Sequence, residues 1–88
     1  MTLENLLQTA KESFRFYVEL ATDDPTGAYH WSACLNGVRH MAFYSIGMFY
    51  ETINGDEADE AYDALDEAYD QARKEIDNIY RMAVCSKD

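Results

Sequence analysis

The chain has 88 residues, 48% of them hydrophobic, and a formal net charge of -10. That length makes one domain, residues 1–88, with a small core and little stability to spare. The apolar and aromatic content excludes intrinsic disorder, and the charge disfavours direct binding to nucleic acid or an anionic membrane, both of which are negative.

The first element is a helix. Leu3, Leu7, Ala10, Phe14, Tyr17 and Ala21 alternate at spacings of four and three, and Leu6, Val18 and Leu20 widen that stripe. The pattern predicts a helix over residues 2–22 with Thr2 as its N-cap. Asp23-Asp24-Pro25-Thr26-Gly27 interrupts it. Pro25 suits the first turn of a second helix, and Asp24 is placed to cap it.

The second element is predicted over residues 25–53. Ala28, Trp31, Leu35, Val38, Ala42, Ile46, Phe49 and Ile53 form one apolar arc, and Ser32, Asn36, Arg39, His40 and Glu51 are assigned to the other side. Asn36-Gly37 is also a strong hairpin signal. An α+β domain with a hairpin there is therefore the alternative reading. Helix is favoured because the alternation before the turn does not continue through Met41-Ala42-Phe43-Tyr44. Tyr29, Phe43, Tyr44 and Tyr50 exceed what one core stripe needs. With Arg39 they have the composition of an interface, for a partner or for a homodimer.

Asn54-Gly55 is expected to end the second helix in the left-handed region, and Asp56 to cap the third. The third helix, residues 56–84, carries Ala58, Tyr62, Leu65, Tyr69, Ala72, Ile76, Ile79 and Ala83 as its apolar stripe. Short connections make neighbouring helices antiparallel. The fold expected is all-α, a small antiparallel three-helix bundle, with Trp31, Leu35, Ala42, Ile46, Leu65, Tyr69 and Ile76 largely buried.

The third helix also holds the main functional signal. Eight of the fifteen residues from Asp56 to Asp70 are acidic and none is basic. Asp59, Asp63, Asp66 and Asp70 make one row, and Asp56, Glu60 and Glu67 make another beside it. Like charges three or four apart each destabilise a helix by a few tenths of a kcal/mol. Such a row is suited to meeting a basic surface. A solvated face kept soluble by its charge would show the same pattern.

Catalytic and metal signals are weak. The chain has no phosphate-binding glycine loop, nucleophile elbow or Cys-x-x-Cys, so no enzyme activity is expected. His30 and Cys34 share one side of the second helix, with Glu75 expected opposite, which falls short of a zinc pattern. Gly55 precedes the acids rather than sitting within them, so they do not form an EF-hand loop. No metal or cofactor is expected. The hairpin geometry separates Cys34 from Cys85 by roughly 15 Å along the third helix, too far for a disulfide, so free thiols are expected. The N-terminal MTLENLLQTAKESF has no charged region followed by an apolar core, and residues 25–50 are too polar for a membrane span, so a cytoplasmic protein is expected.

The function these residues suggest is non-enzymatic. An inhibitor would dock the carboxylate row on the nucleic-acid-binding surface of a basic partner protein. In physical type the chain is similar to nucleic-acid mimics such as phage inhibitors of restriction or CRISPR enzymes, with no motif shared. The alternative is a helical adaptor or assembly subunit that uses the aromatic residues of the second helix.

Overall fold

The computed structural model describes residues 2–49 and 54–85. Helix α1 spans Leu3–Asp23, α2 Ala28–Gly47 and α3 Gly55–Cys85, with a single 3-10 turn at Pro25–Gly27 leading into α2. Each helix packs against both others, α2 running antiparallel to its two neighbours, in a rod 54 × 18 × 15 Å. The described residues contain no strand, and α2 passes through Asn36 and Gly37 without a break.

The helix ends show local chemistry winning over pattern in several places. Thr2 caps α1 as expected, its hydroxyl accepting from the Asn5 N–H at 3.1 Å. Asp24 makes no capping bond to the backbone, however. Its carboxylate instead accepts from the Thr26 hydroxyl at 2.8 Å. Gly27 sits where a Cβ would lie 2.9 Å from Asp24 Oδ2 and 3.0 Å from Trp31 Nε1. That crowding explains glycine in the tight entry to α2.

Asn54-Gly55 does not close α2. Gly55 has no positive φ, and it is the first residue of α3. Asn54 is the cap of that helix, in place of Asp56. Its Oδ1 accepts from the Glu57 N–H at 2.8 Å, while its amide reaches back to the Glu57 carboxylate at 3.5 Å. The first bond is the N-cap bond to the N3 amide, and the second joins the two side chains. Helix α2 ends at Gly47, earlier than expected, with the Phe49 N–H tightened onto the Ile46 carbonyl at 2.9 Å. Of the predicted extension, Met48 and Phe49 form a turn, and residues 50–53 lie outside the described residues.

The core is wholly apolar. Phe14, Leu35, Ile46, Leu65 and Ile76 are its largest fully buried side chains, joined by Leu6, Val18 and a set of alanines. Trp31 and Tyr69 are half-buried rather than buried. Both are wide rings that sit on seams between helices. Trp31 stacks on Tyr17 of α1 with centroids 6.3 Å apart, and Tyr69 meets the edge of Phe14 at 6.1 Å.

Arg39 and Ser32 also depart from the sequence reading. Both turn toward α3 instead of away from the core, because α2 has two packing seams and the apolar arc describes only their shared centre. The Arg39 Nε donates to Asp66 Oδ1 at 2.8 Å. Its guanidinium lies 4.6 Å from the Phe43 ring centroid and 5.0 Å from that of Tyr69. Arg39→Ala is expected to cost about 1–2 kcal/mol, combining a partly exposed ion pair with two cation–π contacts. Arg39→Lys should recover only part, because an ammonium cannot stack as a guanidinium does. Urea denaturation of the two variants checks both statements.

Gly37 has no comparable local reason. Its φ is not positive, and a Cβ there would meet nothing within 4 Å. Gly37→Ala is therefore expected to stabilise the fold by up to about 1 kcal/mol. Thermal melting of dilute protein reads this directly.

Candidate functional site

The carboxylates of α3 face solvent because the opposite face of the same helix builds the core. Ala58, Ala61, Leu65, Ala72 and Ile76 are buried, and the acids occupy the remaining arc. Asp56, Asp59, Glu60, Asp63, Glu67 and Asp70 are all exposed. Asp66 is half-buried and held by Arg39, and it is the one member of the row in an ion pair among the described residues. The row thus divides into one structural carboxylate and a band of free ones. Glu57, beside Asp56 in the first turn, adds a further charge where the positive end of the helix dipole favours it.

The spacing decides what this face resembles. From Asp56 to Asp70 the helix rises about 21 Å, so the seven carboxylates other than Asp66 give one negative charge per about 3.0 Å of axis. Duplex DNA carries one per about 1.7 Å and a single strand one per about 3.4 Å. The charge density of α3 falls between them. The helix carries that density on a continuous helical span packed against the two other helices.

Beyond Asp70 the character changes. Arg73 and Lys74 follow, and Arg81 pairs with Asp77 at 3.2 Å. Arg73, Lys74 and Tyr80 border an open groove of about 600 Å³ against Tyr29 and Ser32 of α2. The acidic band is therefore confined to the N-terminal half of α3.

The aromatic set of α2 separates in the fold. Tyr29 and Tyr44 stand 89% and 76% exposed. Phe43 is half-buried, its ring 5.1 Å from Tyr62 of α3, and Arg39 is turned inward as described. Tyr50 lies outside the described residues. Met41 and Met48, 71% and 83% exposed, extend the outward face of α2. Sequence reasoning did not single them out. The available signal was the absence of any charge along that arc, since Arg39 is the one charged residue from Pro25 to Phe49.

No group of three or more metal-binding side chains comes together among the described residues. Cys34 Sγ lies 3.9 Å from His30 Nε2, but Glu75 does not face them. It is held across the other seam by Arg15 of α1 at 2.9 Å. Cys34 and Cys85 are both free thiols. No described helix is long and apolar enough to cross a membrane. Comparison with protein-family models, with curated proteins and with solved structures gives no match to this chain, so the reading of its site rests on its own residues.

Proposed function

We propose that the protein is a non-enzymatic inhibitor that docks the acidic face of α3 on a Lys/Arg-lined nucleic-acid-binding surface of a partner protein, in the cytoplasm. The observation that supports it is the exposed carboxylate band from Asp56 to Asp70, in which Asp66, held by Arg39, is the one ion-paired member among the described residues. Repulsion along that band weakens the helix in the free protein. A basic partner converts it into attraction, and the regular spacing lets the carboxylates take the places of backbone phosphates. Catalysis is no part of this reading. Catalytic carboxylates work in recessed sites, and these stand on the outer face of a rod.

The exposed Tyr29, Met41, Tyr44 and Met48 favour a second reading, an adaptor or assembly subunit whose contacts run through α2. Salt separates the two. Immobilised protein is exposed to an extract of its source cells at about 0.05 M and about 0.5 M salt, where the Debye length falls several-fold. Docking through α3 predicts a basic protein captured at low salt and released at high salt. Capture that persists or strengthens at high salt supports the adaptor and contradicts docking through α3.

A further inference from the structure

We propose that the outward face of α2 pairs two copies of this chain, antiparallel about a two-fold axis at Asn36 and Gly37. Tyr29, Ala33, Gly37, His40, Tyr44 and Met48 define the face, and all but Gly37 present side chains to solvent.

Charge selects the occupant. The chain carries a net -10, so most ways of bringing two copies together oppose carboxylate to carboxylate. Contact through α1 would bring up Glu4, Glu12 and Glu19, all exposed. Contact through α3 would bring up the acidic band. The outward side chains of α2 include no carboxylate, lysine or arginine, because Arg39 is directed at Asp66. Two copies meet there on neutral side chains, and where α3 borders the face beside Tyr29, Asp70 and Asp77 are accompanied by Arg73 and Lys74.

The arrangement of large and small residues matches a two-fold axis. Tyr29 and Tyr44 lie about equally far along the helix on either side of Asn36-Gly37. Antiparallel pairing sets Tyr29 of one copy against the second copy's Tyr44, and does so twice, as an isologous contact requires. Ala33 then meets the second copy's His40. At the axis stands Gly37, whose bare Cα is required by neither its φ nor any neighbour within the chain. Glycine inside a helix is destabilising, and close approach of two backbones is a setting that needs it.

The size of the contact sets its class. A fully covered tyrosine buries about 150–250 Å². Two tyrosines, His40 and Met48 from each copy bring the interface to roughly 1,000 Å², near the lower bound for specific association. A contact at that lower bound is expected to be reversible, as small and transient interfaces are. The inference is independent of what α3 binds, and neutralising the acidic band leaves it in place.

Sedimentation equilibrium of the full chain from about 5 to about 500 μM, a range that brackets micromolar association, is the test. The expected mass rises from the single-chain 10.1 kDa to twice that. The rise should come at lower concentration in about 0.5 M salt, where repulsion between the two acidic chains is screened. Gly37→Glu and Tyr44→Glu each place a carboxylate on the face at an exposed position. Each should weaken dimerisation at least tenfold while circular dichroism still shows a helical chain, and Asn78→Glu on α3 should change nothing. A variant that loses helicity leaves the test to the other. A single-chain mass at every concentration, dissociation by salt, or a dimer indifferent to both helical Glu variants would overturn the proposal.

Discussion

Leu65→Ala is expected to destabilise the fold by about 2–5 kcal/mol, the range for deleting a large buried aliphatic side chain. Leu65 has no exposed surface, and it joins one continuous apolar cluster with Phe14, Leu35 and Ile76. Helix α3 packs on both α1 and α2, so a cavity at Leu65 sits where neither neighbour can close it without losing contact elsewhere. The core is small and rich in alanine, which leaves few other large side chains to hold it. A domain of this size commonly has a total stability near the lower end of about 5–15 kcal/mol. The variant should therefore be largely unfolded, or melt far below wild type, by circular dichroism. A midpoint equal to that of wild type would show that Leu65 does not carry the core.

The second large effect concerns binding. Replacing Asp59, Asp63, Glu67 and Asp70 by Asn or Gln should lower affinity for the basic partner by at least tenfold. Each exposed pair contributes about 1 kcal/mol or less, but four lost together exceed a decade, and most of the early loss should appear in the association rate. Stability should hold or rise slightly, because the substitutions remove like-charge pairs on the helix. Asp66 is kept out of this set. Its carboxylate ties α3 to Arg39 of α2, so neutralising it mixes a structural loss with a binding loss. Equal affinity of wild type and variant at about 0.15 M salt, where the Debye length is about 8 Å, would leave the acidic band as a solvated surface.

The three helices were legible in the sequence because each repeats apolar residues at helical spacing, and the interruption at Pro25 speaks for itself. The fully buried centre, Leu35, Ile46, Leu65 and Ile76, was legible for the same reason. The seams were not. A helical wheel shows how far a residue points from the core, but not which neighbour it meets. That is why Arg39 was read outward and Phe43 as surplus. Arg39 and Asp66 are 27 residues apart, and no local pattern joins them. Asn54-Gly55 was ambiguous in kind, since an asparagine beside a glycine can close one helix or open the next. The Glu57 N–H on Asn54 Oδ1 decides for the second. The acidic band was visible in outline. The fold adds that one of its members is already spoken for, and that the outward face of α2 offers a neutral surface beside it.

The central claim is that the acidic face of α3 occupies the place of nucleic acid on its partner. Displacement of a labelled DNA duplex from that partner, captured at low salt, tests it most directly. Wild-type protein should displace the duplex completely, and the variant neutralised at Asp59, Asp63, Glu67 and Asp70 should need at least about tenfold more protein to do so, more than 1.4 kcal/mol of lost binding. A complex that holds duplex and protein together, or displacement by the neutralised variant equal to wild type, would contradict the account.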